Sequence, residues 1–195
     1  MAKKTWGLII TVLFLFALYI PLDSPRGVIY NFKTPIDDLI VLNTKFLVVY
    51  LSYFVYLVFT ICYFVKIKQI NILNQILLSV AVTAFFSYLF FIFFQNSVDR
   101  PIISPHDFFD LVYVWINQNI PEYNAFPSLH VAISTICLLG FIKIKSNLAL
   151  IIAIWTVLIY LSTVYTKQHY LLDGVGGLAL GTICFLFITK FFKRI

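Results

Sequence analysis

In the stretch STVYTKQHYLLD (Ser162–Asp173), His169 and Asp173 stand four residues apart. If a helix begins near Gln168, that spacing puts both on one face, and the carboxylate reaches a ring nitrogen of the imidazole. A carboxylate so placed fixes the tautomer and raises the basicity of the other nitrogen, which is what a nucleophilic imidazole needs. A second stretch, FPSLH (Phe126–His130), carries another histidine at the mouth of an apolar run. Pro127 and Ser128 are expected to open a helix there, with unpaired amides and the positive end of the dipole facing outward as a ready phosphate site. His130, one turn further in, lies close enough to exchange a proton with a leaving oxygen. In a third stretch, VDRP (Val98–Pro101), Arg100 offers a planar, permanently charged fork for phosphate oxygens. Each signal alone is ordinary, since a lone histidine at a helix end is commonly a hydrogen-bonded interfacial residue and an Arg-Pro pair a loop corner. Their coincidence on one side, in one order, points to chemistry on a phosphate group.

The elements that must gather these stretches follow from composition. The 195 residues are 62% hydrophobic and 18% aromatic, with only 11% charged, and mean hydropathy is +0.97. Soluble domains are about a quarter charged, so the sequence reads as an integral membrane protein with a single domain over residues 1–195. The net charge of +6 is scattered between apolar runs rather than gathered in a patch, which disfavours a soluble nucleic-acid binder. Six runs have the character of membrane spans: Trp6–Ile20, Phe46–Val65, Ile70–Phe94, Phe126–Ile142, Leu148–Tyr165 and Leu171–Ile188. None holds Lys, Arg, Asp or Glu except Asp173 at the entrance of the last, and a charge at mid-bilayer costs roughly 2.5 to 3.5 kcal/mol. The first and fourth fall short of the ~20 residues a span needs. The expected fold is all-α, a polytopic bundle of six transmembrane helices.

Charge sets the expected orientation. With both termini cytoplasmic, Lys3, Lys4, Lys66, Lys68, Lys143, Lys145, Lys190, Lys193 and Arg194 lie inside. All eight acids, all three histidines, and Arg26, Lys33, Lys45, Arg100 and Lys167 then lie outside. The chemically versatile side chains therefore face one compartment, and the site is expected on the outer face of the cell membrane. No small-residue cleavage pattern follows the first run in LYIPLDSP, so it reads as a retained anchor rather than a signal peptide.

Smaller features read as structural. TPIDDLIVLN suggests a short interfacial helix with Thr34 as N-cap, Pro35 in its first turn and Asp37 three residues after the cap, where an acid complements orphan amides. A functional alternative has Asp37 or Asp38 recognising a headgroup. HDFFDLVYVWINQNI has roughly helical spacing and suggests a surface helix covering the outer ends of the spans. Cys62, Cys137 and Cys184 are odd in number and dispersed, and read as buried packing residues. Gly177 and Gly181 form a small-xxx-small pair that lets a neighbouring helix approach closely. His106 reads as interfacial hydrogen bonding.

Taken together, the three stretches resemble the type 2 phosphatidic acid phosphatase (PAP2) superfamily of membrane enzymes. The pattern there is a Lys, six residues and Arg-Pro, then Pro-Ser-Gly-His, then Ser-Arg, five residues, His, three residues and Asp. Arg100-Pro101 matches the end of the first part, Pro127, Ser128 and His130 the second, and Ser162, His169 and Asp173 the third. The resemblance implies a metal-independent displacement through phosphohistidine on a lipid phosphate, with no cofactor. It makes His169 the nucleophile, Asp173 its orienting partner and His130 the acid that protonates the departing alcohol. Arg100 and the Ser128 region hold the phosphate.

Three positions depart from the pattern: Leu129 stands for Gly, Phe93 for Lys and Thr163 for Arg. Two cationic phosphate ligands are therefore missing. Lys167, four residues after Thr163, replaces one if the fifth helix continues; otherwise it is an ordinary outer-loop lysine. FPSLHVA and STVYTKQHYLLD are also similar to the inositolphosphotransferase branch of the superfamily, the inositol phosphorylceramide synthases. A phosphodiester donor carries one negative charge and needs fewer cations than a phosphomonoester. The leading expectation is a lipid phosphatase acting on a phosphatidic acid or polyprenyl (pyro)phosphate, and the alternative is a phosphotransferase that passes a headgroup to a lipid alcohol. A transporter or scaffold is disfavoured, because no acid or base lies at mid-membrane and no inverted repeat is visible.

Overall fold

The computed structural model describes residues 3–192. Lys193 and Arg194, counted above among the inner charges, lie outside the described residues. Eight helices follow in order: α1 (Lys3–Leu22), α2 (Pro35–Leu39), α3 (Leu47–Lys66), α4 (Ile70–Phe93), α5 (Phe108–Asn119), α6 (Leu129–Lys143), α7 (Ala149–Tyr165) and α8 (Leu171–Phe191). A single 3₁₀ turn, Thr44–Phe46, leads into α3. There is no strand among the described residues. α1, α3, α4 and α8 are long and apolar enough to cross a membrane. α6 and α7 are equally apolar but shorter, at 15 and 17 residues.

The helix ends follow the sequence chemistry. α2 is entered through Thr34, whose backbone N–H donates to Asp37 Oδ2 at 2.7 Å, and α5 through Asp107, which accepts from the Asp110 amide at 2.9 Å. α3, α6 and α7 each end in a turn whose left-handed residue is a lysine: Lys68, Lys145 and Lys167, with φ of 59°, 51° and 52°. In all three the paired backbone bonds of a Schellman motif recover the last carbonyls, as in Gln69 N–H to Phe64 O and Lys68 N–H to Val65 O.

α6 is the hub of the bundle, packing on α3, α4, α7 and α8, while α1 rests on α4. Its contact with α8 is backbone on backbone. A Cβ at Gly177 would lie 2.3 Å from Ser128 O, and one at Gly181 2.4 Å from Ala132 O. The small-residue pair is thus what allows α8 to reach the start of α6. The main core joins α1, α3, α4, α6, α7 and α8 around Tyr56, Phe64, Leu73, Ile136 and Phe141, all essentially buried. Cys137 and Cys184 are buried as expected, but Cys62 is exposed on the outward side of α3.

Candidate active site

α8 begins at Leu171 rather than near Gln168, so His169 is not part of the helix. It is held by the turn between α7 and α8. Gln168 and His169 both donate their backbone N–H to Thr163 O, at 2.9 and 3.1 Å, and Lys167 donates to Val164 O at 3.0 Å. Tyr170 N–H then donates to Asp173 Oδ2 at 2.8 Å, which starts α8. The spacing of four still brings the pair together: His169 Nδ1 lies 3.5 Å from Asp173 Oδ2, with His169 8% exposed and Asp173 fully buried. That separation is longer than a good N–H···O bond. Neither His169 Nδ1 nor Asp173 Oδ1 finds a hydrogen-bond partner among the described residues.

A second carboxylate supports this turn. Asp37, 1% exposed, accepts from Thr34 with one oxygen and with the other from Leu171 N–H at 2.9 Å, capping the first residue of α8 from 134 positions away. The Lys167 ammonium donates to Asp37 O at 2.9 Å. The left-handed turn after α7 removes Lys167 from the register that would carry it beside Thr163, and burial holds its pKa below the usual lysine range. On the far side, Tyr170 Oη accepts from Asp99 N–H at 3.0 Å, tying the segment that carries Arg100 to the residue beside His169.

Ser128 is the N-cap of α6; its hydroxyl accepts from Val131 N–H at 3.5 Å and its own N–H donates to Asp173 O at 2.9 Å. That link seats the first turn of α6 on α8 and carries His130 toward His169, the two ring centroids lying 5.7 Å apart in an edge-to-face arrangement. Tyr50 and Tyr53 of α3 flank the His130 ring at 4.9 and 4.7 Å. Arg100 braces its guanidinium on Ile120 O at 2.8 Å and Pro121 O at 3.0 Å, and its Nε is unpaired among the described residues. Arg100, Leu129, His130 and His169 all line one cavity of about 640 Å³; Lys167 does not. Near Arg100, Asp23 is 7% exposed with Oδ1 unpaired among the described residues. Burial pushes its carboxyl up to about 6, against the lowering effects of Arg100 and of a hydrogen bond to Tyr19.

With Nδ1 directed at Asp173, the nitrogen of His169 left for chemistry is Nε2. The arrangement therefore offers one oriented imidazole, a second imidazole within reach of the same small group, and a guanidinium fork above an apolar space. Sequence reading missed Gln168, Tyr19, Tyr50 and Tyr53, which also line the cavity. The spacing of Tyr50 and Tyr53, three apart near the end of an apolar run, was the signal for the last two.

A model of the PAP2 superfamily matches residues 27–187. The chain belongs to that superfamily, whose members are in general phosphoric ester hydrolases. No curated protein and no solved structure matches it.

Proposed function

We propose that this protein is an integral membrane phosphatase that hydrolyses a lipid phosphate through a phosphohistidine, with six membrane crossings, both termini cytoplasmic and the site on the outer face of the cell membrane. His169 Nε2 attacks phosphorus, and the bond from phosphorus to the lipid oxygen breaks as His130 gives that oxygen its proton. Water then attacks phosphorus, its proton passes to His130, and the phosphorus–nitrogen bond breaks to release phosphate. Asp173 orients His169 and balances the positive ring, while Arg100 and the amide end of α6 hold the phosphate oxygens. No metal enters this scheme.

The observation that carries the reading is the approach of two imidazoles from separate helix ends, 5.7 Å apart, on a cavity shared with Arg100. Purified protein incubated with phosphatidic acid should release free phosphate, and His169→Ala should abolish release while inserting normally. Wild-type turnover in that variant would refute the scheme.

A second reading, headgroup transfer to a lipid alcohol, is favoured by one observation. Arg100 is the one Lys or Arg side chain among the described residues lining the cavity. Lys167 is turned onto Asp37 O, and Thr163 Oγ1 donates to Tyr160 O. A monoanionic diester suits a site with a single cation better than a dianion does. Labelled phosphatidylinositol with an added lipid alcohol separates the two: headgroup exchange without phosphate release selects transfer.

A further inference from the structure

The cavity that holds the two histidines does not end with them. It descends between α1 and α3, which each pack on α4, and is backed by α4 and α6. Along α3 it runs from Tyr50 to Ile61 and along α1 from Tyr19 back to Ile9. At a rise of ~1.5 Å per residue both paths are about 15 Å long, or half of a ~30 Å hydrocarbon core. Its upper end carries Arg100, His130 and His169; below the tyrosines its wall is almost wholly aliphatic and aromatic.

We infer that this cleft is the binding site for the hydrocarbon chain of the substrate, admitted sideways from one leaflet between α1 and α3. The inference rests on the lipid phosphate reading above and names where its apolar part lies. Charge and polarity are complementary along the whole length: an anion at the guanidinium end, hydrocarbon beneath, and Tyr19, Tyr50 and Tyr53 at the junction, where aromatic rings with one polar edge are suited to sit. A soluble phosphate ester would engage only the polar upper end and leave the apolar wall, from Tyr50 to Ile61 and from Tyr19 to Ile9, without a substrate contact.

The test uses full-length protein in lipid nanodiscs and alkyl phosphates whose terminal carbon carries a diazirine. Photolysis with His169→Ala, which holds the probe without turnover, should label the cleft-lining residues Val12, Leu13 and Phe16 of α1 and Leu57, Val58 and Ile61 of α3, and unlabelled dodecyl phosphate should compete. Label confined to lipid-facing positions such as Leu51 and Val55, or label that dodecyl phosphate does not displace, overturns the inference. Kinetics give a second arm. Leu57→Trp, about 10 Å below Tyr50, should lower the ratio of kcat/KM for dodecyl over butyl phosphate at least tenfold. Val55→Trp, 61% exposed and outside the cleft, should leave that ratio unchanged. Equal ratios in the two variants also overturn it. Competed labelling in the cleft with no phosphate release from any ester rejects the phosphatase reading and keeps the chain site. Release with labelling only on outer faces does the reverse.

Discussion

Replacing Asp37 by alanine removes a carboxylate that touches no proposed substrate atom, yet it should slow the reaction. The side chain supplies acceptors to Leu171 N–H at 2.9 Å and to Thr34 N–H at 2.7 Å. A buried hydrogen bond to a charged group contributes about 1.5 to 3 kcal/mol, and loss of a helix cap about 1 kcal/mol. The carbonyl that accepts from Lys167 is backbone and survives the substitution. What is lost is the clamp on the start of α8, two residues after His169. If roughly 1.5 to 3 kcal/mol of that positioning is felt in the transition state, kcat falls about ten- to a hundredfold. KM should move less than about threefold, because Arg100 and the α6 amides are untouched. Asp37→Asn keeps an acceptor for Leu171 and should recover most of the loss. The assay is phosphate release under saturating and limiting substrate, paired with hydrogen exchange at Leu171, whose amide should exchange faster in the alanine variant. Wild-type kcat together with unchanged exchange at Leu171 would refute the reasoning. So would a loss that falls wholly on KM.

Other expectations follow from the same contacts. Gly177→Ala places a methyl 2.3 Å from Ser128 O, a backbone atom that cannot turn aside, and should cost about 1 to 3 kcal/mol in thermal unfolding along with activity. Arg100→Lys cannot brace on both Ile120 O and Pro121 O while facing the cavity, and should reduce kcat/KM nearly as far as Arg100→Ala, about a hundredfold. Asp23 has a raised pKa in the folded protein, so the unfolded chain loses this proton first. Its contribution to stability therefore declines from about pH 4 to about pH 6 and stays unfavourable above that. Asp23→Asn should raise the melting temperature at pH 7.5 and leave it nearly unchanged at pH 4.

Much of the scaffold is visible in residue types. Each of the six apolar runs becomes a helix, the Thr34-Pro35-Asp37 cap forms as its spacing implies, and HDFFDLVYVWINQNI yields α5 with Asp107 as its cap. What was hidden is tertiary. Asp37 reads as a local cap because its second partner, Leu171, is remote in sequence. His169 is expected in the first turn of the sixth helix, whereas α8 starts only at Leu171 and leaves His169 in the connecting turn. α7 ends at Tyr165 as its run does, and the left-handed Lys167 that follows, where no glycine marks a turn, redirects its own side chain. The depth of the cavity depends on α1 and α3 standing apart at one face, which periodicity within either helix does not encode.

The most direct test of the central claim is to trap the covalent intermediate. Wild-type protein mixed with a phosphate-labelled lipid, quenched within a turnover under alkaline conditions and digested, should carry phosphate on His169 in the peptide spanning 163–173. The label should be absent from His169→Ala. Phosphate on another residue, or turnover with no labelled His169 at any quench time, would contradict the account.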